Sequence, residues 1–166
     1  VTGKRAGRQV NWLDRGQQQA WRAYIMGTTL LLDRLDRDLR QAWDISLAEY
    51  EILVRLSEQP DRSLRMASLA DAMCHSRSRV THTVKRMEDA GLVVRATATG
   101  DRRGVCATMT DRGHELLVKA APTHVAGVRE HLVDLASKTD FAAVGRVFDR
   151  VSDQLMQGRD EATDIR

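Results

Sequence analysis

Between Trp12 and Trp43, the residues Trp21, Ile25, Thr28, Leu32, Leu35 and Leu39 follow one another in alternating steps of four and three. That spacing lines one stripe of a helix with 3.6 residues per turn, so a long amphipathic helix is expected over 12–43. Asp44-Ile45 breaks the pattern, and Ser46-Leu47-Ala48-Glu49 then reads as a capping box, in which hydroxyl and carboxylate each satisfy the other residue's free amide. A second helix follows with Tyr50, Leu53, Val54 and Leu56 on its apolar side, stopped by Glu58-Gln59-Pro60-Asp61. After a short extended piece at Ser63 to Arg65, Met66 to Met73 reads as a third helix with Leu69, Ala70 and Met73 inward.

Cys74-His75 leaves room only for a tight connection before Ser76, an N-cap residue. The fourth helix runs from Ser76 to Ala90 with Val80, Val84 and Met87 buried, and Gly91 supplies the left-handed residue that ends it. Two helices joined by so short a turn make a helix-turn-helix. Leu92 to Arg95 and Val105 to Met109 are β-prone runs joined by a loop bounded by glycines, which predicts a two-stranded hairpin. Thr110 then caps a fifth helix extending to about Ala136, with a bend at Pro122. Thr139 caps a sixth, with Phe141, Val144, Val147, Phe148, Val151 and Leu155 inward.

Composition narrows the class. Aromatic residues make up 4% of the 166 and only two prolines occur, which disfavours a β sandwich and leaves a mainly α fold with a small β-hairpin. The length suits one folding unit with a sizeable core. Apolar runs such as Leu30 to Leu32 fall far short of a membrane span, and the N-terminus shows no apolar signal-peptide core, so a soluble protein of the cytoplasm is expected. Cys74 and Cys106 are too few for a disulfide scaffold and are expected as thiols.

Charge adds a direction. The net charge is +3, but Arg62 to Arg112 holds ten Lys or Arg against five Asp or Glu, so the positive surplus sits in the middle of the chain. The fourth helix, opposite its buried stripe, presents Arg77, Ser78, Thr81, His82 and Lys85, with Arg79 and Arg86 on the flanks, and Ser76 to Lys85 contains no acid. An ordinary solvated face mixes charge signs. A helix fits the major groove of B-DNA, where Arg grips the two acceptors of guanine and Ser or Thr meets base edges or phosphates.

The order of a long helix, a capped second helix, SLRMASLADAMCHSRSRVTHTVKRMEDAGLVVR, a hairpin with DRRG and then MTDRG resembles the MarR family of winged helix-turn-helix transcription regulators over nearly the whole chain from about Trp21. Its most specific parts are GLVVR after the fourth helix, Asp101-x-Arg103-Gly104 in the hairpin, and Thr110-x-x-Gly113. Met109 stands where the family usually has Leu, a swap that keeps volume.

The resemblance implies a homodimer built from interlocked N- and C-terminal helices, with one winged lobe per subunit reading half of a pseudo-palindrome in double-stranded DNA at the nucleoid. On that reading residues 1–10 are a flexible basic arm, 11–45 the N-terminal dimerisation helix, 46–110 the DNA-binding lobe and 111–166 the C-terminal dimerisation helices. The DNA-contacting set is Ser76, Arg77, Ser78, Arg79, Thr81, His82, Lys85 and Arg86, with Asp101, Arg102 and Arg103 at the wing tip. Arg103 carries over the family's flanking minor-groove contact, Asp101 orients it, and Arg102 meets a second phosphate.

The resemblance further implies a regulator, a repressor in most such families, released by a small aromatic or phenolic acid, for which Trp21, Tyr24 and Tyr50 are the candidate ligand residues. Ordinary core or dimer packing accounts for the same aromatic stripe without a ligand. Between the thiols, Cys74 is the better candidate for oxidative sensing, although inert buried cysteine is the commoner case. The His and Cys spacings match no metal site, no cofactor is implied, and no nucleophile, base and orienting group assemble into a catalytic centre. The competing function is a winged-helix module that docks a protein without reading DNA, against which the paired arginines of the hairpin tip argue.

Overall fold

The computed structural model describes residues 10–97 and 104–163, with side-chain surroundings as far as residue 156. The basic arm expected at the N-terminus and the wing-tip residues Asp101, Arg102 and Arg103 therefore lie outside the described residues.

Helix α1, Arg15–Trp43, starts three residues later than the periodicity suggests, because Asp14 rather than Trp12 opens it: the Asp14 carboxylate accepts the Gln17 amide and the Gln17 side chain accepts the Asp14 amide. Helix α2, Leu47–Ser57, begins at the Ser46–Glu49 capping box read from the sequence. Strand β1, Ser63–Arg65, leads into α3, Met66–Ala72, and α4, Arg77–Asp89. Strands β2, Val93–Thr97, and β3, Val105–Met109, precede α5, Asp111–His131. After a short 3-10 turn at Val133–Leu135 the chain ends its described part in α6, Lys138–Thr163.

The expected two-stranded hairpin is a three-stranded antiparallel sheet in the order β1-β3-β2. Ser63 pairs with Thr108 and Arg65 with Cys106, and the Ser63 and Thr108 hydroxyls meet at 2.8 Å. Without β1, the outer edge of β3 would lack backbone partners. Two helix boundaries also differ. Ser137, not Thr139, caps α6, accepting the Asp140 amide at 3.1 Å, and α5 stops at His131 rather than near Ala136, with Pro122 inside it.

The core gathers Leu39 of α1, Ile52, Leu53 and Leu56 of α2, Leu69 of α3, Val80, Val84 and Met87 of α4, and Val93 of β2, all essentially without solvent contact. Trp43 at the end of α1 donates its indole N–H to Thr123 of α5 at 2.9 Å, tying the first helix to the fifth.

The stripe on α1 divides. Leu35 and Leu39 enter this core, but Trp21, Ile25 and Leu32 stay exposed. The apolar stripe of α6 is not inward either: Phe141, Val144, Val147, Phe148, Val151 and Leu155 are all open to solvent. Where α6 lies beside the outer half of α1, the Tyr24 and Phe148 rings are 5.1 Å apart, and the apolar side chains of both helices stay exposed. The two helices border an open apolar trough lined by Trp21, Tyr24, Ile25, Val144, Val147 and Val151.

Candidate nucleic-acid interface

The turn that aims α4 is set by backbone geometry at Cys74. Cys74 adopts the left-handed conformation (φ 52°), its amide donates to the Asp71 carbonyl at 3.0 Å, and the His75 amide reaches the Ala70 carbonyl at 3.1 Å. This double closure is the Schellman arrangement that satisfies the last carbonyls of α3, here made without glycine. Ser76 then caps α4 by accepting the Arg79 amide at 3.3 Å. Cys74 itself is exposed and Cys106 half-buried, and both are free thiols, so burial does not make Cys74 inert.

Helix α4 buries Val80, Thr83, Val84 and Met87. Thr83 is a polar residue that periodicity alone does not assign to the core; its hydroxyl donates to the Arg79 carbonyl at 3.0 Å, so its burial leaves no unpaired group. On the opposite side Ser76, Arg77, Ser78, Arg79, Thr81, His82, Lys85 and Arg86 are all exposed, the surface expected from the sequence. That surface is not uniform. Lys85 pairs with Asp89 at 3.1 Å and Arg86 with Glu49 of α2 at 3.4 Å, whereas among the described residues no carboxylate pairs with Arg77 or Arg79. The first turns of α4 thus hold positive charge that no described carboxylate neutralises, next to the positive end of the helix dipole.

The far end of α4 is fastened to the sheet. Gly91 (φ 72°) closes a second Schellman turn, with its amide on the Glu88 carbonyl at 2.9 Å and the Leu92 amide on the Met87 carbonyl at 2.8 Å. Glu88 then clasps Arg95 of β2, accepting the Arg95 backbone amide at 2.9 Å and its guanidinium at 2.9 and 2.7 Å. Those hydrogen bonds hold the Glu88 carboxyl below its usual range. Strand β2 is therefore indexed directly to α4. Sequence reasoning missed this pair, for no periodic rule links positions on either side of a glycine turn.

Where β3 ends, the Thr110 hydroxyl accepts the Gly113 amide at 3.0 Å and donates toward the carbonyls of Gly91 and Leu92. The Thr110-x-x-Gly113 pattern is thus both a helix cap and the joint at which α5 meets the end of α4.

The aromatic residues proposed from sequence as ligand contacts do not converge. Trp21 and Tyr24 line the trough beside α6, while Tyr50 borders a separate cavity of about 360 Å³ between α2, the end of α3 and α5. There Tyr50 lies against His124, ring centres 4.6 Å apart, with Glu51, Val54, Arg55 and Cys74 around them. Burial pushes the Tyr50 phenol up and the His124 imidazole down from their ordinary values, and His124 Nδ1 is buried without a hydrogen-bond partner. Among the described residues no group of three or more His, Cys, Asp or Glu is placed to hold a metal ion, and no helix is long and apolar enough to cross a membrane.

The model of the MarR family matches residues 45–105. Over 131 residues the chain is 29% identical to the HTH-type transcriptional regulator PecS of Dickeya dadantii, covering 74% of this chain and 79% of that protein. Among solved structures it is similar to Sco3205, a MarR family transcriptional regulator from Streptomyces coelicolor in complex with DNA, with 39% identity, a TM-score of 0.84, and coverage of 87% of this chain and 94% of the other. The regulator AbsC from the same organism matches at 39% identity and a TM-score of 0.83, over 88% and 98% of the two chains.

Proposed function

The chain belongs to the MarR family of winged helix-turn-helix transcription regulators, which are not enzymes, and from that premise we propose that it is a homodimeric repressor of a pseudo-palindromic operator. The observation that carries this reading is the first half of α4, exposed, acid-free, and holding Arg77 and Arg79 without an internal carboxylate partner among the described residues. Residues 46–110 form the DNA-binding lobe. Arg77, Ser78, Thr81 and His82 face base edges in the major groove, with Ser76 and Arg79 on the adjoining phosphates. In the wing, Arg103 enters the flanking minor groove, Asp101 orients it, and Arg102 meets a phosphate.

The second copy covers the trough between 11–45 and 111–166. Trp21, Tyr24, Ile25, Val144, Val147 and Phe148 form a contiguous exposed apolar surface of the kind that marks an association site. This assigns Trp21 and Tyr24 to the dimer. The cavity at Tyr50 and His124 lies between α5 and the lobe, where a small aromatic acid would change the angle between them, with Arg55 as the partner of its carboxylate.

The test is a selection of genomic fragments on the purified protein, followed by titration of the recovered duplex over a range of salt. Binding that weakens steeply with salt and a two-fold symmetric consensus are expected, because phosphate contacts release counterions. Arg77→Ala should cost about 1–3 kcal/mol and relax base choice at one position of each half-site. A chain that enriches no duplex while capturing a protein through the same face would establish the docking-module alternative instead.

A further inference from the structure

One of the cations assigned to DNA by its place on α4 is engaged elsewhere. Arg86 Nη2 lies 3.4 Å from Glu49 Oε1, and the Glu49 side chain is only 13% exposed. The other carboxylate oxygen of Glu49 accepts the Ser46 amide at 2.8 Å and the Ser46 hydroxyl at 2.7 Å. One residue on, the Leu47 amide donates to Asp36 of α1 at 2.8 Å, and the remaining oxygen of Asp36 takes Arg40 at 2.6 Å. Burial would raise the Asp36 carboxyl, but Arg40 and the Leu47 amide outweigh it and hold it low, so Asp36 stays charged in this position. Arg40, Asp36, the N-terminus of α2, Glu49 and Arg86 thus form a continuous polar series that runs from α1 to α4.

A phosphate would compete with Glu49 for the Arg86 guanidinium, and drawing Arg86 away would leave the mostly buried Oε1 of Glu49 without its cation. We propose that Arg86 is a positioning residue: through Glu49 it fixes the tilt of α4 against α2 and α1, and so sets the separation at which the two lobes of a dimer present their recognition helices. The proposal rests on the DNA-binding reading and narrows it, removing Arg86 from the contact set.

The test uses Arg86→Ala, Arg86→Lys, Glu49→Gln and the Arg86→Ala/Glu49→Gln double variant on the full chain, with the duplex recovered by genomic selection and the same duplex lengthened by one central base pair. Glu49→Gln keeps the capping box, since Gln serves at that position, while removing the ion pair. Arg86→Ala and Glu49→Gln are each expected to weaken binding about three- to tenfold, with the salt slope unchanged. Both should discriminate less between the two duplex lengths, Arg86→Lys should restore discrimination, and the double variant should be no weaker than either single change. If Arg86→Ala does not fold, Glu49→Gln carries the test alone. A salt slope reduced by about one charge in Arg86→Ala together with tighter binding by Glu49→Gln would make Arg86 a phosphate contact and overturn the proposal. Unchanged affinity and spacing preference in both variants would overturn it too. Wild type that binds no duplex would take down the DNA-binding reading and this proposal with it.

Discussion

A methyl group at position 113 would sit 2.2 Å from the Leu92 carbonyl oxygen and 3.0 Å from Met109 Cγ. The obstacle at Leu92 is backbone, which cannot swing aside, so Gly113 is required by the close approach of α5 to the start of β2 rather than by its own φ. Gly113→Ala is expected to lower stability by about 3 kcal/mol in urea denaturation, with fluorescence and circular dichroism reporting one transition. The motif around Gly113 is readable in the sequence; the reason for it is not, because the atom in the way belongs to another element. His124 is a second case. Its imidazole is held below the ordinary value of 6.5 by burial, so the unfolded chain binds the proton more tightly than the fold does. Stability should therefore be unaffected above about pH 7 and fall as pH drops through the ordinary histidine range. His124→Phe, which keeps the ring against Tyr50, should flatten that fall between about pH 7 and pH 5; an undiminished slope in the variant would assign the proton elsewhere.

At the scale of the element, the signals that sequence carries are those completed within four residues. The caps at Ser46, Ser76 and Thr110 are legible because donor and acceptor are near neighbours, and so is the 3.6-residue period that separates Val80, Val84 and Met87 from Arg77, Thr81 and Lys85. The extended piece at Ser63–Arg65 is legible too, but its pairing with β3 and the Glu88–Arg95 clasp are not, since each depends on a partner brought near by the rest of the fold. Arg86 shows the same limit within the candidate site: its exposure is periodic, whereas its engagement with Glu49 is tertiary. The α3–α4 turn invites a direct measurement. Cys74 holds a left-handed conformation that costs an L-residue roughly 1–2 kcal/mol, so Cys74→Gly should raise stability by about 0.5–1 kcal/mol once glycine's greater freedom when unfolded, about 0.5–1 kcal/mol, is subtracted. A variant less stable than wild type would mean that the thiol itself contributes contacts at the turn.

For the whole molecule, the apolar stripe of α1 is continuous in sequence but has two destinations. Leu35 and Leu39 close the core of their own lobe, and the stretch around Trp21 and Ile25 lies beside α6 with an apolar face still open. Period and composition announce the stripe, but they do not say which part of it the chain's own core takes in and which part stays exposed. The consequence is kinetic. In the proposed dimer the lobe, completed by its own α5, folds as a first-order process, while the outer halves of α1 and α6 gain a full complement of neighbours on encounter with a second copy. The tryptophans separate the two events: Trp43, bonded to Thr123, reports on the first, and Trp21, 55% exposed in the single chain, on the second. In refolding of a Trp12→Phe chain, one fluorescence phase should keep its rate on dilution and the other slow in proportion to concentration, and Trp21→Phe should remove only the latter.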